Sequence, residues 1–365
     1  MSNGGGGNLF GLGSATCPAG PCTAVVGSSD DGHTWSTRAW FTGLTTPGLG
    51  QNATKPGQLT GIRFANARVG YAFGSAVRRT DDGGRSWRGF DVGGAVVLSL
   101  ETDGQTVWLV TARSCQPEPP AQPGAQTPTR AAAGCTGLAV QSADVGDSAA
   151  HVVQVAGLPP SVRTAWIVMD GKDAYLNAQT RGDGSSAPAT PVRLTGTPGS
   201  VARPAGCDPK GDVWLVTTAR DRGALFAVCA EGSKAAIYPV SMYAVFASAD
   251  RGQSWRPRGV GGLGPVSDRG VWVTAADRDH LVAIPDGLPA TGGPGLSAPS
   301  IAGGGLLTSE DGGATWHRPA VSSKAGGWGW AGAAGGPIVY ALDGGGRYFL
   351  STDRGASFEQ VTLRR

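Results

Sequence analysis

The chain has 365 residues, with 61 Gly, 25 Pro, 40% hydrophobic and 16% charged residues and a formal net charge of +3. That apolar content supports a folded core, and the small net charge without a basic run excludes electrostatically driven nucleic-acid binding. Only 5 Glu and 5 Lys stand beside 22 Asp and 25 Arg, so surface-helix residues are scarce and turn residues abound. This composition predicts an all-β chain of many short strands.

In chain order, residues 1–7 are Gly-rich and are expected to be disordered, without the basic and apolar regions of an export signal. No apolar run reaches the length of a membrane-spanning helix. Cysteines then occur in three local pairs, Cys17 with Cys22, Cys115 with Cys135 and Cys207 with Cys229. None has metal-ligand spacing and the four histidines are scattered, so disulfides are predicted and neither a metal nor a cofactor. Disulfides place the chain outside the cytoplasm, secreted or at the cell surface, which requires an export signal or anchor upstream.

An octet, Ser/Thr-x-Asp-x-Gly-x-Ser/Thr-aromatic, recurs along the chain. Its Asp, Gly and ring positions are Asp30, Gly32 and Trp35; Asp82, Gly84 and Trp87; Asp250, Gly252 and Trp255; Asp311, Gly313 and Trp316; and Asp353, Gly355 and Phe358. A sixth copy keeps Asp144 and Gly146 but has Ala149 in place of the ring. The chemistry is that of a tight hairpin. The carboxylate accepts turn amides, Gly supplies a positive φ, and the ring wedges below. The octet is therefore a structural staple.

These octets resemble the Asp-box, or BNR, repeats of sialidase-like β-propellers. The pairing of each box with an aromatic strand is also similar to the photosystem II assembly and stability factor family. The resemblance implies a β-propeller of four-stranded antiparallel blades over 1–365 as one domain, each box joining third strand to fourth. Aromatic anchors at Phe10, Tyr71, Trp108, Tyr175, Trp214, Trp272 and Tyr340 are assigned to second strands and count seven blades, with six or eight as the alternatives. The octet Asp spacings of 52, 62, 106, 61 and 42 agree, the gap of 106 holding one blade without a box. Insertions are expected between second and third strands, on the rim opposite the boxes. They are the Cys17–Cys22 loop, the Pro-rich loop at about 115–135, a segment from Ala219 to about Pro239, and a loop at about 285–305.

Two functions follow from the resemblance. The first is a non-catalytic binding or assembly module, expected to be a monomer, that recognises a protein or glycan on the loop-bearing rim, with Arg113, Arg130, Arg220 and Arg222 as candidate contacts. The second is a glycoside hydrolase of exo-alpha-sialidase type. That enzyme family carries an Arg-Ile-Pro sequence, whereas this chain has Gly61-Ile62-Arg63-Phe64, and its five Glu residues offer poor partners for a Tyr nucleophile. No catalytic residue is assigned.

Overall fold

The computed structural model describes residues 1–47, 55–116, 134–179, 189–196, 199–211, 213–217, 225–231, 240–259, 263, 265–267, 271–285, 305–322 and 327–361. Seven antiparallel sheets follow one another along the chain, with no helix among the described residues. They are the blades of a seven-bladed β-propeller. The chain divides into two compact units, one of Met1–Ile167 and Asp173–Gly199, the other of Val168–Lys172 and Ser200–Leu363.

Sheet 1 shows the plan. Its strands Ser2–Gly5, Asn8–Cys17, Gly20–Ser28 and Ser36–Thr42 pair in sequence order. Residues 1–7 thus supply a first strand instead of the expected disordered start. The glycines are the reason: a Cβ on Gly4 would stand 2.8 Å from Phe10 Cε2, so only glycine permits this approach. Sheet 2 (Leu59–Phe64, Gly70–Gly74, Val77–Thr80, Arg88–Phe90) repeats the order. Sheet 3 begins with Val96–Thr102, Thr106–Gln116, Gly134–Asp144 and His151–Val153, and Ser161–Val162 pairs with the start of its third strand. Sheet 4 comprises Thr164–Asp170, Asp173–Gln179, Val192–Arg193 and Gly199–Ser200.

In the second unit, sheet 5 is Val213–Thr217, Leu225–Ala230, Val240–Ser248 and Arg256–Gly259, with Pro265–Ser267 beside the third strand. Here two expectations are corrected. Trp214 lies on the first strand, paired with Val228, and Trp272 lies on the first strand of sheet 6, paired with Ile284. An apolar alternation such as Val-Trp-Leu-Val fits a first strand as well as a second, so its pattern does not fix strand rank. The Ala219–Pro239 segment is likewise not one insertion, because Leu225–Ala230 within it is the second strand. Phe10, Tyr71, Trp108, Tyr175 and Tyr340 do occupy second strands.

Among the described residues sheet 6 has three strands, Val271–Ala275, Leu281–Pro285 and Leu307–Ser309. A two-way bridge between Thr308 and His317 stands where a fourth would begin, with N–H···O distances of 2.8 and 2.9 Å. Sheet 7 (Trp328–Gly335, Ile338–Asp343, Tyr348–Ser351, Ser357–Gln360) gains Ala320–Val321, which runs parallel to its fourth strand.

Within each unit, neighbouring sheets bury facing side chains. Between sheets 1 and 2, Phe10 stacks on Phe64 at 3.5 Å between ring centroids, and Trp87 meets Phe41 and Phe64 edge-on at 5.2 and 6.3 Å. Each such ring contributes about 1.5–3 kcal/mol when removed from water. First strands are also stitched to one another. Phe64 N–H donates to Ser2 Oγ (2.7 Å), Ile167 N–H to Ser99 Oγ (3.2 Å) and Ala333 N–H to Thr274 Oγ1 (3.0 Å).

Candidate functional site

Each intact octet sits between third and fourth strands or, in sheet 6, after the third. In the first, Ser28 Oγ–H donates to Asp30 Oδ1 (2.6 Å) and accepts Gly32 N–H (2.9 Å). Asp30 accepts Thr34 N–H (2.9 Å) and Thr34 Oγ1–H (2.6 Å), and Trp35 Nε1–H closes on Gly32 O at 2.9 Å. The second octet repeats this with Thr80, Asp82, Ser86, Trp87 and Gly84. The Asp250, Asp311 and Asp353 octets keep the hydroxyl and carboxylate bonds. Their rings differ: Trp316 Nε1–H reaches Gly313 O (3.1 Å), Trp255 turns to Ala202 O (2.6 Å), and Phe358 has no donor.

Two αL residues in succession make each turn. The three described non-glycine residues with positive φ, Asp31 (56°), Arg251 (62°) and Arg354 (63°), all stand at the fourth octet position, where the other copies have Gly83 and Gly312. The amide at that position donates to the turn between first and second strands of the same sheet. The pairs are Asp31 to Gly7 O (3.0 Å), Gly83 to Arg68 O (2.8 Å), Gly312 to Asp279 O (2.7 Å) and Arg354 to Pro337 O (2.9 Å).

Hydrogen bonding sets the electrostatics. The bonds from Ser28 and Thr34 hold the Asp30 carboxyl at about 2, and those from Ser254 and Ser248 do the same for Asp250. At Asp82 and Asp311 burial pushes upward, but the bonds led by Ser86 and Thr315 outweigh it and again leave the carboxyl at about 2. Carboxylates so fully engaged are poor acids and poor bases near neutral pH.

The sixth copy departs from this pattern. Ser142 Oγ lies 3.2 Å from His151 Nε2 rather than on Asp144, and Asp144 N–H donates to Asp147 Oδ2 (3.1 Å). The backbone tie survives, Val145 N–H to Gln105 O at 2.7 Å.

All three predicted cysteine pairs are disulfide-bonded, and all lie at the strand ends remote from the octets. The third strand of sheet 1 runs from Cys22, near its start, to Ser28 of the octet, and that of sheet 3 from Cys135 to Ser142. At about 3.3 Å per residue the two ends are on the order of 20 Å apart. Cys115 and Cys135 are direct cross-strand partners. Cys229 is near the far end of the second strand of sheet 5, whose other end, Leu225, pairs with octet residue Ser248. Arg113, two residues before Cys115, is exposed. Arg130, Arg220 and Arg222, with loop residues 117–133 and 286–304, lie outside the described residues.

Three groupings were not legible in the sequence. Arg63 Nε donates to Glu101 Oε1 (2.7 Å), joining first strands of sheets 2 and 3, and burial pushes the Glu101 carboxyl upward against the pull of Arg63. Asp277 accepts from His280 Nδ1 (2.7 Å) and from Arg354 Nε (2.9 Å), tying a turn of sheet 6 to the octet of sheet 7. Trp272 and Trp330, on first strands of sheets 6 and 7, lie 5.8 Å apart. Each depends on residues distant in sequence, so no local motif marks it. Among the described residues there is no group of three or more His, Cys, Asp or Glu arranged to hold a metal ion.

No family model matches the chain, and no curated protein matches it. Solved structures do. The acylaminoacyl peptidase of Pyrococcus horikoshii is similar with a TM-score of 0.53 and 8% identity, covering 98% of this chain and 50% of that one. YCF48 from Cyanidioschyzon merolae has a TM-score of 0.45 and 14% identity, covering 84% and 86%. YCF48 bound to D1 peptide has a TM-score of 0.46 and 14% identity, covering 86% and 82%. At these identities the likeness is one of fold.

Proposed function

We propose that the chain is a single-domain, monomeric, extracytoplasmic binding or assembly module that recognises a protein or glycan at the strand ends remote from its octets. One observation carries this reading: all three disulfides stand at those ends. Cross-linking a 20-residue separation removes loop freedom worth about 3 kcal/mol in the chain-entropy model. Such reinforcement suits loops that must present a fixed shape, because ordering a loop on binding costs affinity. Disulfides also belong to oxidising compartments. No helix among the described residues is long and apolar enough to cross a membrane.

In this reading the octets are Asp boxes that hold the scaffold, and Arg113, Arg130, Arg220 and Arg222 supply positive charge to the recognition rim. The sialidase-type alternative is weakened by the absence of Arg-Ile-Pro and by the engagement of Glu101 with Arg63. The test uses the full chain on a glycan array and on a tiled array of extracytoplasmic peptides, beside a fluorogenic sialoside and a panel of aryl glycosides. Binding that falls at least tenfold when residues 117–132 are deleted, with both cysteines kept, is the expected result. Glycoside turnover abolished by one Asp or Tyr substitution at those strand ends would replace the binding module with a hydrolase.

A further inference from the structure

The turn between first and second strands is closed by the same chemistry in three sheets. In sheet 2, Ala65 N–H donates to Val69 O (2.9 Å), and Asn66 Oδ1 accepts the amides of Arg68 and Val69 (both 2.9 Å). In sheet 3, Asp103 Oδ1 accepts the amides of Gln105 (2.8 Å) and Thr106 (2.7 Å). In sheet 6, Ala276 N–H donates to His280 O (2.9 Å), and Asp277 Oδ1 accepts the amides of Asp279 and His280 (both 2.9 Å). A neutral Asn at the first position and a Val or Thr at the last therefore suffice to close this turn. The carboxylate and imidazole of sheet 6 are additions that closure does not require.

Those additions reach sheet 7. The imidazole returns to the carboxylate, Nδ1–H on Asp277 Oδ1 at 2.7 Å, and the second carboxylate oxygen receives Arg354 Nε–H at 2.9 Å. Arg354 is the fourth octet residue of sheet 7 and holds φ at 63°, where sheets 2 and 6 have Gly83 and Gly312. Glycine would avoid that strain, so the guanidinium is what the position gains. The same turn also takes the octet of its own sheet, Gly312 N–H on Asp279 O at 2.7 Å. Two octets converge on it.

Burial pushes the Asp277 carboxyl upward, but the His280 bond and the turn amides outweigh it and hold the carboxyl below its ordinary value, so it stays ionised near neutral pH. Histidine is the side chain whose charge changes there. Because Nδ1–H faces Asp277 in either state, the proton is gained at Nε2, and the bond to Asp277 becomes charge-assisted. The other charged groups at this junction are Arg278 and Asp279 on the turn, Asp353 in its octet hub, and Arg258 of sheet 5, whose guanidinium lies against Gly312. None of these changes charge near neutrality. His317, also in sheet 6, faces Thr308 and Glu310 instead.

We propose that Asp277, His280 and Arg354 form a pH-set latch that fastens the octet turn of sheet 7 to sheet 6 more tightly as pH falls through neutrality. The carboxylate lies between the two cations, each on its own oxygen, and offsets their repulsion. Stability that a histidine gains from a partner is present while the imidazole is protonated and is lost as pH rises.

Hydrogen–deuterium exchange of the full chain, corrected for intrinsic exchange rates, tests the latch. Protection of segments 275–281 and 351–357 is expected to be about fivefold higher at about pH 5.5 than at about pH 8. His280→Gln abolishes the difference in both segments, and His317→Gln leaves it as in the parent. Arg354→Gly, which copies the residue of sheets 2 and 6, abolishes it in 351–357 while 275–281 still responds. Equal protection at the two pH values in the parent, or a difference that survives His280→Gln, overturns the proposal. A response in 351–357 that persists in Arg354→Gly, or one lost in His317→Gln, also overturns it. Loss of protection in 351–357 on acidification does so too, since the imidazolium would then be displacing the guanidinium.

Discussion

Sheets 2 and 3 carry the same octet frame between third and fourth strands, one with its hydrogen-bonded hub and one without. In sheet 2, Asp82 receives the Thr80 hydroxyl, the Arg85 and Ser86 amides and the Ser86 hydroxyl, while Trp87 wedges against Phe41 and Phe64. In sheet 3, Ser142 has turned to His151 and Ala149 offers no ring. Both keep the amide tie from the fourth octet position to the turn between first and second strands. The octet therefore has separable parts. The backbone tie is common to both, whereas the carboxylate hub and aromatic wedge are missing from sheet 3, where Asp91 forms a bridge to Ala149 at the position of the ring.

The largest effect expected from this contrast is at the wedge. Trp87→Ala removes a half-buried ring between sheets 1 and 2 and should lower the unfolding free energy by about 3 kcal/mol, measured by guanidinium denaturation. A loss under about 0.5 kcal/mol, the range of ordinary surface substitutions, would make the ring ornamental.

The hub should appear in the pH dependence. Asp30, Asp82, Asp250 and Asp311 have native values of about 2 against an ordinary 3.8. A depressed carboxyl contributes stability that is fully present above its unfolded value and is lost as pH falls through its folded one. The Tm should thus fall between about pH 4 and pH 2, and Asp82→Asn should flatten part of that slope. A slope confined to pH 5–7 would point to histidines instead.

The smallest effect is at the fourth octet position. Asp31 holds φ at 56°, where two other copies have glycine, so Asp31→Gly should raise stability by about 0.5 kcal/mol through relief of αL strain. A loss of that size would show that the Asp31 side chain does more than tolerate the turn.

What the sequence disclosed was local. The octets and the cysteine pairs are readable because each is a short motif whose chemistry closes on itself, and Phe10, Tyr71, Trp108, Tyr175 and Tyr340 lie on the second strands that their pattern predicts. Trp214 and Trp272 do not, because period-two alternation is the same in first and second strands. The Gly-rich start looked disordered because nothing local reveals Phe10 approaching Gly4. Of the candidate rim, Arg113 is exposed beside a disulfide, while its long-range company cannot be read from spacing. The Arg63–Glu101 pair spans 38 positions and the Asp277–Arg354 pair 77, each brought together only by the repeat.

Guanidinium unfolding of Asp82→Ala beside Asp144→Ala tests the separability of the octet most directly. The two aspartates hold the same frame position, one a hub and one not. Asp82→Ala should lose about 1–2 kcal/mol, the cost of stranding its turn donors, and Asp144→Ala should stay within about 0.5 kcal/mol of the parent. Equal losses at the two positions would contradict the account, since the carboxylate would then matter equally whether or not it gathers the turn.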